Sequence, residues 1–435
     1  MNKNLIFGLF LIPGLSLMGQ ESWSLDSCIS YAINHNLTVK GKELSVKTGE
    51  LDITEAKNRF LPQVGAGAQQ AFSFGRGLTA DNMYANRNTS QFGWNVQMSL
   101  PLFQGLRNVR NLDYARSNLR QLVEELESTK DNITLSVIAQ YLEVLFSEEL
   151  YKVALEQVNL SRIELERRRE LVEAGKIGEL DLLQAESQLA QDELSAVTAY
   201  NNQELALLDL AQLLELKSAE GFSIKPLDNS LEEYPLLSPD EVFNSAMVDN
   251  HTIHASRLGV ETAGKYIKLA QSGYLPTLSF SAGLGSSYYK TSGYLNESFG
   301  SQMRHNLSES LGFSLNIPIF DAFSTRNSIR KAKVQKASAE LQLHENEVQL
   351  YKAITQAHTQ AVAAEKRLAS ASIAEKSSLA SFDAIREKYN YGKANATEFE
   401  EAKTAYIKAV SEAVQAKYES ALRRRILYFY YNSGF

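Results

Sequence analysis

The chain of 435 residues is long enough for two or three ordinary domains, but its composition argues against that simple picture. Its 44 Lys and Arg residues and 51 Asp and Glu residues give a net charge of −7, which excludes the basic surface typical of nucleic-acid binding. The single cysteine, Cys28, cannot form an internal disulfide, and no Cys/His cluster has the spacing of a zinc or iron–sulfur site.

The first residues predict export. Lys3 supplies a positive charge, residues 5–17 form an apolar run, and the small residue Gly19 follows it. This order is typical of a secretory signal peptide, which we assign to residues 1–19. The run is well short of the ~20 residues needed for a membrane-spanning helix, and no other stretch approaches that length. The mature chain is therefore predicted to be exported without a transmembrane helix.

The prolines indicate an internal duplication. Two pairs stand in similar motifs, Phe-Leu-Pro with Tyr-Leu-Pro and Leu-Pro-Leu-Phe with Ile-Pro-Ile-Phe. These pairs are Pro62 with Pro276 and Pro101 with Pro318. Repeats of this length are duplicated domains rather than the short units of a solenoid. The predicted ranges are 20–215 for the first structural repeat, 216–237 for the linker and 238–435 for the second repeat.

Between its two prolines, each half contains two segments in which apolar and polar residues alternate, as expected for strands. The four predicted strands are about 63–75, 90–101, 277–289 and 308–318. Each is about as long as a tilted strand that crosses a bilayer. The polar face is small and uncharged, and aromatic residues lie on the apolar face and beside the strands. This pattern favours a membrane β-barrel over one face of a soluble sandwich.

Four strands are too few to close a barrel, because the smallest known type has eight. An open strand edge in lipid would leave backbone groups without hydrogen-bond partners. The strand number therefore predicts a homo-oligomer whose copies share one barrel.

Outside the proline pairs, the pattern is helical. Leucines and other apolar residues recur at coiled-coil spacing between Pro101 and Gly175, and alanines form the corresponding seam between Pro318 and Gly392. After each glycine a shorter helix is predicted, at 180–214 and 397–425. Another helix is predicted before each first strand, at 26–58 and 240–272. Residues 76–90 and 290–308 are predicted to be exposed loops of the barrel.

Other candidate sites are weaker. The run Arg167-Arg168-Arg169 could touch a partner, but pairing with neighbouring glutamates on a solvated helix is the favoured interpretation. His251 and His254 lack a third metal ligand nearby in the sequence. Cys28 is interpreted as a packed thiol. No catalytic constellation or phosphate-binding loop is found, so we predict neither enzyme activity nor a cofactor or metal.

The duplicated plan, the Leu-Pro strand entries and two hairpin motifs resemble the TolC-like outer membrane efflux family over the whole mature chain. The hairpin motifs are GKIGELDLLQA at 175–185 and GKANATEFEEA at 392–402. The resemblance implies an α+β membrane protein in which three copies share a twelve-strand outer-membrane barrel. A long α-helical coiled-coil tunnel would continue this barrel through the periplasm.

The implied function is that of an exit duct in a tripartite efflux or type I secretion system. It would passively export small molecules or proteins from the periplasm to the exterior. The implied partners are two further copies, outer-membrane lipid, a periplasmic adaptor and an inner-membrane pump or transporter. The alternative is a periplasmic coiled-coil scaffold or adaptor without a pore.

The resemblance also assigns roles to residues near the two hairpin tips. Glu398 and Glu401 match acidic rings at the periplasmic entrance, although they are also ordinary acids for a helix start. Asp181 and Tyr389 match contacts that close the tip, and Lys393 is a possible substitute for an arginine that is replaced by Ala394. The residues implied to form the hairpin tips and to contact the adaptor are Gly175, Lys176, Gly178 and Gly392.

Overall fold

A computed structural model describes residues 22–78, 82–226 and 235–432. The predicted signal peptide therefore lies outside the described residues. The chain divides into two compact units. The first comprises Met1–Lys40, Thr129–Val248 and Tyr351–Phe435 as far as these are described, and the second comprises Gly41–Ser128 and Asp249–Leu350. No helix in the described ranges is both long enough and apolar enough to cross a membrane.

Most of the described residues are helical. The two longest helices, with 67 residues each, are α3 (Arg107–Glu173) and α8 (Ser324–Asn390). The remaining long helices are α1 (Leu25–His35), α2 (Leu37–Asn58), α4 (Glu179–Leu213), α5 (Pro239–Asp249), α6 (His251–Gln271) and α9 (Ala396–Asn432). The absence of proline from the interiors of α3 and α8 permits their length.

Each helix predicted before a first strand is in fact two helices. The chain is extended at Asn36, between α1 and α2, and at Asn250, between α5 and α6. The Asn36 side chain accepts a hydrogen bond from the Thr38 N–H (2.9 Å), and Asn250 accepts one from the Ile253 N–H (3.1 Å). Asparagine side chains compete for backbone groups in this way, so these residues cap a new helix instead of continuing the old one.

The largest apolar core described in the first unit surrounds Cys28 and Tyr141. Burial raises the pKa of the Cys28 thiol to about 12, as expected for a packed thiol. The Tyr141 hydroxyl donates to the Lys225 carbonyl (2.6 Å), close to a parallel bridge between Trp23 and Ile224. Part of the predicted linker, residues 227–234, lies outside the described residues.

The second unit contains a four-stranded antiparallel sheet in the order β1-β4-β5-β6. Its strands are β1 (Gln63–Ser73), β4 (Thr89–Gln104), β5 (Thr277–Thr291) and β6 (Ser308–Asn316). β4 continues past the predicted end at Pro101 because a bulge between Pro101 and Phe103 accommodates the proline. β6 ends at Asn316, before Pro318.

The predicted barrel loops contain further elements. A short hairpin, β2 (Arg76–Leu78) and β3 (Tyr84–Asn86), lies between β1 and β4, and helix α7 (Phe299–His305) lies between β5 and β6. We call the end of the sheet that carries the β2–β3 hairpin and α7 the outer end. Residues 76–90 and 290–308 are rich in Asn, Ser and Gly, a composition typical of loops that does not exclude short elements stabilised by neighbouring strands.

The strand register sorts the sheet into two chemically distinct faces. Neighbouring strands place like residues opposite each other, for example Val64, Met98, Ala282 and Leu311 across all four strands. The apolar face carries Val64, Ala66, Ala68, Trp94, Val96, Met98, Leu100, Leu278, Phe280, Ala282, Leu284, Leu311, Phe313 and Leu315, and towards its outer end it also includes the polar residues Gln70, Ser286 and Glu309. The polar face consists of Gly65, Gly67, Gln69, Gly93, Asn95, Gln97, Ser99, Ser279, Ser281, Gly283, Gly285, Ser310, Gly312 and Ser314.

Candidate functional site at the hairpin tips

The candidate site lies in the first unit, where α3 turns into α4 and α8 turns into α9. Both α3 and α8 end in the same turn, with Gly175 and Gly392 at positive φ angles of 66° and 69°. The N–H of the next residue, Lys176 or Lys393, donates to a carbonyl five residues back (2.8 Å each). This is a Schellman motif, in which glycine is favoured because the left-handed conformation strains other residues.

The helices that leave the two turns start differently. α4 follows Gly178, which has no side chain to cap it. At the start of α9, Asn395 and Glu398 each accept a hydrogen bond from the other's backbone N–H at 2.8 Å. This reciprocal pair is a capping box. The Glu398 carboxylate therefore stabilises the helix start, whereas Glu401 is exposed one turn further on.

Below the turns, a buried ion pair links α3 to the other three helices. Arg168 Nε donates to Glu164 Oε1 at 2.8 Å, and the two residues are only 3% and 4% exposed. The Tyr389 hydroxyl from α8 hydrogen-bonds to the same glutamate oxygen. Arg168 also donates to the main-chain carbonyl of Asp181 on α4 (3.2 Å), and its Nη2 lies 3.7 Å from Glu400 on α9.

These contacts and the burial of the side chains raise the pKa values of Tyr389 and Arg168. Burial raises the pKa of Tyr389, and its hydrogen bond with Glu164 raises it further. Burial alone would lower the pKa of Arg168, but the hydrogen bond and the charge of Glu164 more than offset this, so its pKa is raised. Arg168 is therefore charged and Tyr389 neutral at ordinary pH.

Arg167 and Phe399 hold the other sides of the Tyr389 ring. The Arg167 guanidinium lies 4.3 Å from the ring centroid and donates to the Tyr389 carbonyl (3.0 Å). Phe399 from α9 stacks on the ring with centroids 4.8 Å apart. A cation on one side and an aromatic ring nearby fix the tyrosine between α3 and α9.

A second buried contact involves Lys403 of α9, which is 1% exposed. Its ammonium group lies 2.8 Å from Glu400 Oε2 and 3.6 Å from Asp192 Oδ2, and it donates to Ser161 Oγ at 2.8 Å. Asp192, 2% exposed, also accepts hydrogen bonds from Ser161, Gln157 and Gln188. Lys403 thus joins α9 to both α3 and α4.

We refer to Glu164, Arg168, Asp192, Glu400 and Lys403 as the charge cluster. Two cations lie among three carboxylates, and all of these residues except Glu400 are buried, so the loss of one partner would leave another buried and unpaired. Such a cluster has no nucleophile activated by a base. It can fix how α3, α4 and α9 pack against one another, and it carries no catalytic arrangement.

Comparisons with known proteins agree with this architecture. The sequence model of the family described as "Outer membrane efflux protein" matches residues 28–215 and 242–433. The chain is 24% identical over 371 residues to the outer membrane efflux protein BepC of Brucella suis, covering 84% of this chain and 76% of that protein. It is 23% identical over 431 residues to the outer membrane protein TolC of Escherichia coli, covering 94% and 83%.

The chain belongs to the outer membrane efflux protein family. A solved structure, the CmeC outer membrane channel of Campylobacter jejuni, shares the fold with a TM-score of 0.79 at 16% identity, over 94% of this chain and 86% of that one. Membership of this family confirms the predicted resemblance and the predicted location in the outer membrane. The family and the relative BepC are described as outer membrane efflux proteins, which supports the prediction that this protein is not an enzyme.

The structure brings together some of the residues that the resemblance implies. Tyr389 and Asp181 both reach the pair formed by Arg168 and Glu164, Tyr389 through its hydroxyl and Asp181 through its carbonyl. Lys176 and Lys393 occupy equivalent positions in the two turns. Their roles between copies remain predictions.

The structure agrees with the favoured interpretation of the run Arg167-Arg168-Arg169 for only one of its three residues. Arg169 does pair with Glu166 on an exposed helix face (2.8 Å), as expected. For Arg168 the solvated-face interpretation is wrong, because it and Glu164 are buried by the other helices. Arg167 contacts Tyr389 rather than a glutamate.

The two histidines lie in the second unit and share one carboxylate. Glu124 Oε2 is 2.8 Å from His251 Nδ1 and 3.7 Å from His254 Nδ1. Within the described ranges, no group of three or more potential ligands has the arrangement of a metal site.

Lys403 and Asp192 were not predicted as site residues, although the sequence pattern around each of them indicates a buried charge. Lys403 follows Phe399 by four residues and precedes Tyr406 by three, so it occupies the apolar stripe of α9. Asp192 lies seven residues after Ala185 and four before Ala196, in the small-residue seam of α4. A charged residue within an apolar seam predicts a buried partner, but the pattern does not identify that partner.

Proposed function

We propose that this protein is the exit duct of an export system. Three copies would share one barrel in the outer membrane, and their helical hairpins would form a tunnel in the periplasm. The observation that carries the proposal is the sheet, which has one apolar face, one uncharged polar face, and unpaired edges at β1 and β6. Since an open edge is costly in lipid, these edges are best satisfied by neighbouring copies.

The dimensions of the apolar face support a membrane location. From Leu278 to Tyr288, a series of apolar-face residues on β5 that only Ser286 interrupts, the strand rises by about 33 Å at ~3.3 Å per residue. With a tilt of ~40°, this corresponds to a height of about 25 Å, the apolar band of outer-membrane barrels. The polar face would then line a lumen wide enough to export diverse molecules with little selectivity.

Transport through this duct would be passive, with energy supplied by an inner-membrane pump or transporter reached through a periplasmic adaptor. The hairpin turns are the proposed adaptor contact, because they combine a rigid backbone with exposed residues. The residues concerned are Gly175, Lys176, Gly178 and Gly392. Both efflux of small molecules and secretion of proteins are compatible with such a duct.

The second hairpin is the proposed periplasmic entrance. Three copies of Glu398 and Glu401 around one axis would concentrate negative charge and attract cations. Asp181, Tyr389 and Lys393 are the proposed contacts that close this end. The contacts of Tyr389 and Asp181 with one ion pair support this assignment, because they couple both hairpins to a common element.

The first test is the mass and the conductance of the mature protein extracted from outer membranes. Light scattering in detergent should give a trimer, and addition to a planar bilayer should give discrete conductance steps. A monomer, or a protein that fractionates with the soluble periplasm, would contradict the duct and favour a periplasmic scaffold or adaptor without a pore.

The entrance assignment is tested separately with Glu398→Gln and Glu401→Gln in one chain. Glutamine can still form a capping box, so the double variant removes charge while it preserves the start of α9. We expect weaker cation selectivity and weaker block by divalent cations. The matched control is Glu412→Gln, an exposed acid further along α9. Unchanged selectivity in the double variant would remove both residues from the entrance.

A further inference from the structure

At its outer end, β5 has an edge with which no strand of the described residues pairs. β6 pairs with β5 only from Thr277 to Gly285, whereas β5 continues to Thr291. An exposed strand edge presents unpaired N–H and C=O groups. Here side-chain amides satisfy several of them.

Three amide side chains take the place of a strand along this edge. Gln302 accepts from the Tyr289 N–H and donates to the Tyr289 carbonyl, both at 3.0 Å. Asn296 does the same for Thr291 at 2.9 and 2.8 Å. Asn306 donates to the Ser287 carbonyl at 2.7 Å. Helix α7 and its flanking residues therefore extend the line of β6 to the outer end.

Helix α7 is also held by its apolar side. The Phe299 ring lies 5.7 Å from Phe92 and 5.1 Å from Tyr288, measured between centroids. Ser286 Oγ donates to the Met303 carbonyl at 2.8 Å. With this side fixed on β5, helical spacing places Gly300 and Arg304 on the opposite side, and both are exposed.

Strand direction determines what can lie on that opposite side. β1 runs towards the outer end and β6 runs away from it, so the two unpaired edges can join in antiparallel pairing between copies. The outer end of the next copy's β1 then lies beside the start of β6. Because α7 ends three residues before Ser308, that β1 end must pass close to α7.

The side chains at the outer end of β1 and those on α7, which would face each other between copies, are chemically complementary. At the outer end of β1, the rings of Phe72 and Phe74 stack with centroids 6.4 Å apart and are 63% and 76% exposed. Helix α7 offers the exposed Arg304 guanidinium, and Leu307 beside it is also exposed. Aromatic rings attract a guanidinium through their faces and an apolar side chain through burial.

We propose that α7 is a contact between copies, in which Arg304 and Leu307 meet the Phe72–Phe74 ring pair of the next copy. The inference rests on the shared barrel proposed above. The proposed contact would join neighbouring copies at the outer end of the sheet, in addition to the strand pairing within the membrane.

The test is cross-linking in outer membranes with a short bis-maleimide. One variant carries Gly300→Cys and Ser73→Cys, which leave Arg304, Leu307 and both rings in place. An added Cβ at Gly300 meets no atom within 4 Å. The control variant carries Gln69→Cys and Ser310→Cys, which lie within β1 and β6 on the polar face. Cys28 is fully buried and serves as an unreactive background.

Linked dimers and trimers on a denaturing gel are expected for both variants, because only a link between copies changes the mass. Links in the control variant alone would overturn the α7 contact and leave the shared barrel intact. No links in either variant would contradict the shared barrel itself.

Arg304→Glu in the Gly300/Ser73 background should reduce the yield of linked species severalfold, whereas the same change in the control background should not. An unchanged yield in the first background would overturn the proposed contact of Arg304 with the ring pair.

Discussion

In the sheet, one face is polar and uncharged, and the other face is apolar except for a few residues towards the outer end, among them Glu309. In the charge cluster, ionised residues, all buried except Glu400, contact each other across the three helices α3, α4 and α9. The sheet needs only the alternation of residue classes, because the backbone supplies the pairing. The cluster needs particular partners, because each buried charge is tolerated only beside its counter-charge. The two regions should therefore respond differently to the same kind of substitution.

The largest effect is expected in the charge cluster. Asp192→Ala removes the carboxylate beside Lys403 and leaves Ser161 and two amides without their acceptor. Breaking a buried pair costs about 3–5 kcal/mol, so the free energy of unfolding should fall by about that amount. Denaturant unfolding of the purified protein in detergent, followed by helical circular dichroism, measures the change.

The matched control is the neighbouring residue Glu193, whose exposed carboxylate lies 3.5 Å from Arg162. Glu193→Ala should cost less than about 1 kcal/mol, because exposed ion pairs contribute little. Equal losses in the two variants would show that burial does not distinguish the cluster from the helix surface.

The second largest effect on stability is expected when a charge is placed on the apolar face of the sheet. Leu311→Arg places a charge on the apolar face of β6 and should cost about 2–4 kcal/mol if that face contacts lipid. Ser310→Arg, on the polar face of the same strand, should cost far less because it would face the lumen. Folding into lipid vesicles in a urea series measures both. A larger cost at Ser310 than at Leu311 would reverse the assignment of the faces.

The same contrast explains how much could be predicted from the sequence. The strands and long helices follow from periodicity and proline positions, and the two tip turns follow from Gly175 and Gly392. Helix α7 was not predicted, because its contacts to β5 come from amides in a loop-like composition. The partners of Lys403 were not predicted either, since Ser161 and Asp192 lie on other helices far away in the chain. Local patterns specify elements, whereas buried charge partners depend on tertiary packing.

The smallest effect concerns the edge of the charge cluster. Tyr389→Phe keeps the ring between Arg167 and Phe399 but removes the hydrogen bond to Glu164. In this variant Glu164 still accepts the hydrogen bond from Arg168. We expect a loss of about 1–2 kcal/mol near neutral pH in the same unfolding measurement. Tyr391→Phe is the matched control, because Tyr391 is exposed and its hydroxyl is solvated; it should be close to neutral.

The loss should also depend on pH. The pKa of Tyr389 is raised in the folded protein, so the unfolded chain releases this proton first as the pH increases. The contribution of the hydroxyl is therefore fully present below about pH 10, the ordinary tyrosine pKa, and is lost as the pH rises through the folded pKa. The difference between wild type and Tyr389→Phe should shrink above about pH 10. A difference that stays constant or grows would contradict a neutral phenol donating to Glu164.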